Sequence, residues 1–117
     1  MPTTSGHTTA ILASRVRGSS VYNVDREKIG NVEDLVLDKT SNEIMFAVLG
    51  FGGLFGMGEK YFPIPWSKLD YDPEAGGYVI CVSRDVLETA PSYSLNDLTK
   101  NDGQVSRATN EYYLKAM

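Results

Sequence analysis

The chain has 117 residues, of which 42% are hydrophobic and 22% charged, and its formal net charge is −4. These values suit one globular domain, and the negative charge with scattered basic residues disfavours direct nucleic-acid binding, which needs clustered Lys and Arg. A single cysteine excludes an internal disulfide framework, and the lack of any run of about 20 apolar residues excludes a membrane-spanning helix.

The first nine residues are rich in Thr, Ser and Gly and contain His7, the one histidine of the chain. This composition predicts a disordered lead-in over residues 1–9. The segment has no basic start, and the apolar run that follows it is too short for a signal peptide. We therefore expect a cytoplasmic protein.

Residues 20–82 are dense in strand signals. "SVYNV" predicts a first strand, and "KIGNVEDLVLD" follows after a polar turn. In the second segment Ile29, Val32 and Leu35 are three positions apart, whereas a flat strand would keep a spacing of two. A helix is the alternative, but Gly30 and the β-branched residues weaken it. We predict a bent or bulged strand with Gly30 near the kink.

The segment "EIMFAVLGFG" is apolar on both faces of a predicted strand. One face carries Ile44, Phe46 and Val48, and the other carries Met45, Ala47 and Leu49. A strand of this kind is covered on both sides. In a barrel one face would form the core, and the other would meet the C-terminal tail or another subunit.

A glycine-rich loop, "VLGFGGLFGMGEK", follows this strand and is built from apolar residues. Its glycines permit backbone angles closed to other residues. The apolar side chains either fold over one end of the barrel as a lid or face outward as a docking patch, since aromatic residues and Met are enriched at interface cores. The candidate docking or self-association surface is Met45, Ala47, Leu49, Phe51, Leu54, Phe55 and Met57.

The segment "FPIPW" alternates again, and its two prolines predict a strand that lies at an edge or pairs at its non-bonding positions. "WSKL" predicts a 3₁₀-like turn, and "LDYD" with "GYVICV" predicts a closing hairpin. Within the last strand Cys81 is expected to be a buried small hydrophobe. The predicted core anchors are Ile29, Phe62, Ile64, Trp66 and Tyr71.

The pattern changes after the last strand. Ser83 is positioned to cap a short helix, "RDVLETA", which Pro91 would end. Residues 94–117 form a C-terminal extension with a candidate helix over 104–116, where a weak apolar stripe recurs every three or four residues. Because so short a helix is unstable alone, it must dock on its own barrel or on a neighbour's.

Five segments follow one another along the chain, namely "VYN", "KIGNVEDLVLD", the glycine loop, "FPIPWSKLDYD" and "DVLETAPSY". In their order and spacing they resemble a PRC-barrel domain over residues 11–93. The resemblance implies a mainly β fold, a small six-stranded barrel that serves as a binding platform and not as an enzyme. The family includes domains of the photosynthetic reaction centre H subunit and of a ribosome maturation factor, and we expect neither specific role to carry over. One departure is "VDRE" where the family usually has an Asp-Gly turn, which predicts a different first turn.

No catalytic constellation is visible, because a nucleophile needs a nearby base and His7 lies in the lead-in. Two Cys and His residues in all are too few for a usual zinc site. We therefore expect no enzyme, no metal and no cofactor. The preferred hypothesis is a protein–protein interaction module that binds another protein of unknown identity and forms a homodimer. The alternatives are an RNA-processing or ribosome-associated factor, and a small-ligand binder at the barrel mouth.

Overall fold

A computed structural model describes residues 10–51, 61–100 and 104–116. A six-stranded curled sheet is followed by a short helix and a C-terminal helix, as predicted. The strands are β1 (Ser20–Tyr22), β2 (Lys28–Leu37), β3 (Ile44–Gly50), β4 (Phe62–Ile64), β5 (Leu69–Asp72) and β6 (Gly77–Ile80). The helices are α1 (Ala13–Val16), α2 (Arg84–Thr89) and α3 (Gln104–Ala116), with 3₁₀ helices at Trp66–Lys68 and Leu95–Thr99.

The strands follow the order β4-β3-β2-β1-β6-β5 across the sheet. All neighbours are antiparallel except β1 and β6, which are parallel. The 3₁₀ helix Trp66–Lys68 connects β4, at one end of this order, directly to β5, at the other end. So short a connection requires the sheet to curl. The position of β4 at the end of the sheet confirms the edge strand that its prolines predict.

Strand β2 contains two extra residues, in agreement with its irregular apolar spacing. Ile29, next to Gly30, is skipped in the pairing with β1, and Glu33 is skipped in the pairing with β3. Each extra residue delays the alternation of side chains by one position. Val32 and Leu35 therefore both contact the interior of the sheet although they are three positions apart. The predicted bulged strand with Gly30 near its kink is confirmed.

The interior of the curled sheet is the main hydrophobic core. Three of the predicted core anchors, Ile29, Phe62 and Ile64, are buried there. Trp66 is half-buried and packs against this core, with its ring centroid 5.7 Å from that of Tyr78. Tyr71, however, is 42% exposed, so its expected role as a core anchor is wrong. Its ring meets Tyr78 edge-on at the sheet surface instead, at 5.4 Å.

The C-terminal segment covers the outer face of β3. Phe46 and Val48 form a second buried cluster with Leu98 and Val105, which belong to the second 3₁₀ helix and to α3. A backbone bridge between Tyr61 and Tyr93 leads the chain back to the β4 edge. The second apolar face of β3 is thus buried by the chain's own tail, which was one of the two possibilities that the sequence left open.

The predicted cap of the short helix after β6 is confirmed. The Ser83 hydroxyl accepts a hydrogen bond from the Val86 amide at 3.3 Å and caps α2. In the β1–β2 turn, the Asn23 side-chain oxygen accepts from the amides of Asp25 and Glu27, each at 2.9 Å. This turn places Arg26 in the left-handed region, with φ 64°, which side chains other than glycine seldom occupy.

Candidate docking site

The structure corrects the predicted docking surface. Ala47 and Leu49 face the interior, where they pair with Ile64 and Phe62 of β4, and both are fully buried. Phe51 is also buried, with its ring 4.9 Å from that of Phe62. Both faces of β3 are apolar, so the alternation could not show which one faces inward, and the prediction chose the wrong face. Leu54, Phe55 and Met57 lie outside the described residues.

Met45 differs from the other members of the predicted surface. In the pairing of β2 with β3, Phe46 lies opposite Val36 and Ile44 lies opposite Leu37, so Met45 is an extra residue. This bulge places Met45, which is half-buried, against the outer cluster of Phe46 and Val48. Met45 therefore contacts the outer face of the sheet.

A groove of about 560 Å³ lies between the end of the β2–β3 hairpin and the second 3₁₀ helix. We call it the β2–β3 groove. Its floor is apolar and consists of Val36, Met45, Phe46, Val48 and Leu98. Two bulged strands and the tail therefore combine to form a concave surface with an apolar floor and a polar rim on the outside of the barrel.

The rim of the β2–β3 groove combines one large apolar residue with two opposite charges. Leu37 is 60% exposed. Asp34 and Lys39 are the two charged residues among those that line the groove. Asp34 accepts a hydrogen bond from the Leu35 amide at 2.8 Å and lies 3.8 Å from the Arg17 side chain. That ion pair is solvent-exposed and contributes little, so the carboxylate keeps capacity for another partner.

The turn between β2 and β3 fixes the geometry of this rim. The Asp38 carboxylate accepts hydrogen bonds from the Thr40 amide at 2.8 Å and from the Thr40 hydroxyl at 2.6 Å. These hydrogen bonds lower the pKa of Asp38 below its ordinary value, and the bond from the Thr40 hydroxyl has the largest effect. Asn42 adopts φ 63° and completes the turn. The rim residues beside it are therefore held by a defined turn.

Three further features bear on chemistry, namely possible metal ligands, the single cysteine and possible membrane-spanning helices. Residues 10–51, 61–100 and 104–116 contain no group of three His, Cys, Asp or Glu side chains that could hold a metal ion. Cys81 is exposed, contrary to the expectation of burial, because Ile80 and Val82 on either side point inward and strand alternation turns Cys81 outward. In the same part of the chain, no helix is long and apolar enough to cross a membrane.

Sequence reasoning missed most of the residues that form the groove. Val36 and Leu37 belong to the predicted second strand, and Leu98 lies in the C-terminal extension ahead of its candidate helix. Two features of the sequence could have indicated these groove residues. One is the second apolar face of β3, which had to be buried by another part of the protein, and the other is the irregular spacing of apolar residues in β2. The groove exists only because the tail stops short of covering that face completely.

Comparisons with known proteins agree with this fold. A family model described as the PRC-barrel domain matches residues 8–87. An uncharacterized protein of Deinococcus radiodurans is 25% identical over 76 residues, which is 65% of this chain and 27% of that protein. The chain thus spans about a quarter of the length of this relative. The family match includes all six strands and ends within α2, so the second 3₁₀ helix and α3 lie beyond it.

Proposed function

The chain belongs to the PRC-barrel domain family, and from its surface we propose that it is a non-catalytic protein-binding module whose β2–β3 groove docks a second copy of the same chain. The observation that carries this proposal is the apolar groove with its charge-balanced rim. Self-docking would cover the exposed Leu37 and the half-buried Val36 and Met45. Met and other large apolar residues are typical of the cores of protein interfaces.

The charges on the rim favour a second copy as the occupant. In a twofold dimer the same patch meets itself, so every residue must be complementary to a residue of the same patch. Asp34 and Lys39 satisfy this condition, because Asp34 would face the partner's Lys39 and Lys39 the partner's Asp34. The chain as a whole carries a net charge of −4 and would repel a copy elsewhere. The groove rim carries one charge of each sign.

Light scattering across a concentration series tests the proposal. A monomer has a mass of 12.9 kDa, and we expect twice that mass at micromolar concentration. Leu37→Asp should restore the monomer, because it places a charge in the apolar contact. The matched control is Val24→Asp, since Val24 is equally exposed, at 63%, but lies in the β1–β2 turn away from the groove. A wild-type chain that stays monomeric would contradict self-docking.

A charge exchange tests the twofold arrangement. Asp34→Lys alone should weaken the dimer, since two lysines would then face each other across the rim. The double variant Asp34→Lys/Lys39→Asp restores opposite charges and should recover the dimer. A dimer that forms but is insensitive to both changes would place the contact elsewhere on the molecule.

A further inference from the structure

Helix α3 docks on the barrel along one stripe of side chains. Val105, Thr109 and Tyr113 are spaced four residues apart, so they lie on one face of the helix, and all three are buried. Val105 joins the outer cluster with Phe46, and Tyr113 reaches the main core. We call the barrel surface beneath these three side chains the α3 seat.

Within the described part of the chain, the α3 seat provides no hydrogen-bond partners for the buried hydroxyl groups of its helix. Among the described residues, the hydroxyls of Thr109 and Tyr113 have no hydrogen-bond partner, although both side chains are 1% exposed. Burying an unpaired hydroxyl opposes docking, because the group loses its bonds to water. The same desolvation raises the pKa of Tyr113, and the electrostatic effect of Tyr112 adds a smaller increase. Because the described residues of the seat give the Thr109 hydroxyl no hydrogen bond, an aliphatic side chain of similar size would suit that position better.

The packing around α3 is also incomplete. A cleft of about 310 Å³, bounded by Asp97, Lys100 and Ala108, separates the start of the helix from the second 3₁₀ helix. Near the other end, the Tyr112 hydroxyl donates to the Val86 carbonyl oxygen at 2.7 Å and lies 2.8 Å from the Thr89 hydroxyl. Tyr112 thus links the helix to α2 by hydrogen bonds, while the neighbouring Tyr113 packs in the main core.

The α3 seat is continuous with the β2–β3 groove. Phe46, Val48 and Leu98 belong to the same buried cluster as Val105 and also line the groove. Removing α3 would extend the groove along β3 towards β4. The family match ends at residue 87, so α3 is an addition to the part of the chain that the family describes.

We propose that α3 is a replaceable cover and that the α3 seat receives an amphipathic helix from a different protein. The matching helix carries three apolar residues spaced four apart, with an aliphatic side chain where α3 has Thr109. The α3 of a second copy is not the favoured occupant. It carries the same unpaired hydroxyls, while the resident helix has the advantage of its covalent tether.

Peptide binding to the full chain tests this proposal, with Leu37→Asp present to remove self-docking through the groove. The probes are fluorescent peptides of residues 104–117, one with the native sequence, one with Thr109→Val and one with Tyr113→Asp. Fluorescence anisotropy should show the Thr109→Val peptide binding about tenfold more tightly than the native peptide, since an unpaired hydroxyl is removed. The Tyr113→Asp peptide should not bind, because a charge cannot enter the core. Tyr112→Phe in the full chain should tighten binding further by loosening the resident helix.

Two results would overturn the proposal. The first is that the Thr109→Val peptide binds neither the Leu37→Asp chain nor the same chain with Tyr112→Phe. The second is that the native and Thr109→Val peptides bind with equal affinity. Native-state hydrogen exchange gives an independent readout. The amides of α3 should exchange before those of β2 and β3, and Thr109→Val in the full chain should slow them about tenfold. If α3 exchanges only together with the strands, it is not a separate cover.

Discussion

The Arg26 guanidinium lies 2.9 Å from the Asp72 carboxylate and 3.9 Å from that of Glu74, joining the turn after β1 to the end of β5. Arg26 also has the left-handed φ of 64°. The same residue therefore links two hairpins and occupies a backbone conformation that costs a residue with a side chain about 1–2 kcal/mol. These two effects on stability have opposite signs and can be separated by substitution.

Arg26→Ala should be less stable than Arg26→Gly by about 1 kcal/mol. Both variants lose the ion pair, but only glycine relieves the left-handed backbone. Urea denaturation measures the free energy of unfolding of each variant. Added salt should reduce any advantage of the wild type over Arg26→Gly, since exposed ion pairs are screened. Equal stability of the two variants would show that the backbone at this position is not strained.

Gly30→Ala should destabilise the protein by about 1–3 kcal/mol or more. A Cβ at Gly30 would fall onto the backbone carbonyl oxygen of Gly50, which cannot move without disturbing the strand pairing. Gly50→Ala is the matched control, because its Cβ would meet only the flexible Glu33 side chain, at 2.6 Å from Oε1. Thermal unfolding should place the Gly30→Ala variant well below the Gly50→Ala variant. The reverse order would contradict the close approach of these strands.

Phe62→Ala should cost about 3–5 kcal/mol, as expected for a fully buried aromatic residue. Phe62 is 1% exposed and contacts Phe51. Trp66→Ala should cost less, even though Trp is larger, because Trp66 packs on the core while remaining partly exposed. Chemical denaturation of both variants tests this order. A greater loss from Trp66→Ala would restore Trp66 as the principal aromatic anchor.

Stability should fall at alkaline pH because of buried tyrosines. Burial raises the pKa of Tyr113 and of Tyr78 above the ordinary value of 10.0, with smaller contributions from Tyr112 and Tyr71. Above pH 10 the unfolded chain releases these protons while the folded chain retains them. The free energy of unfolding should then fall by up to about 1.4 kcal/mol per pH unit for each tyrosine.

Tyr113→Phe should make this alkaline loss shallower and should be neutral or stabilising near pH 7, where it removes an unpaired buried hydroxyl. Urea denaturation in a pH series through and above the ordinary tyrosine pKa measures both effects. Tyr78→Phe is the parallel variant, and it should remove the part of the alkaline fall in the free energy of unfolding that is due to Tyr78. An alkaline slope unchanged by Tyr113→Phe would show that its hydroxyl is accessible in the folded state.

The barrel could be predicted from the sequence because its signals are local. The spacing of Ile29, Val32 and Leu35 contains the bulges, the prolines of β4 mark an edge, and Ser83 marks the start of α2. Each of these depends on the backbone conformation of a few adjacent residues. The resemblance to the PRC-barrel domain then supplied the order in which the pieces assemble.

The docking site could not be predicted in the same way. Which face of β3 is buried depends on its pairing with β4 and on the tail, which are contacts between distant parts of the chain. Leu98 and Val105 carry no local sign that they cover Phe46. The exposure of Tyr71 and the inward position of Ala47 likewise follow from the curl of the sheet and not from the adjacent residues.

The two bulges in the β2–β3 ladder have a consequence for how this hairpin can change in evolution. Glu33 adds a residue to β2 and Met45 adds one to β3, so the pairing of Leu37 with Ile44 returns to the same frame as that of Asn31 with Gly50. Loss of either extra residue would remove its bulge and leave the other pairs in place, because an extra residue has no partner on the opposite strand. Loss of a paired residue such as Leu35 would instead shift the register and turn the following side chains over. Among descendants of this sequence, single deletions in the hairpin should therefore occur at Glu33 and Met45 and not at the paired positions between them.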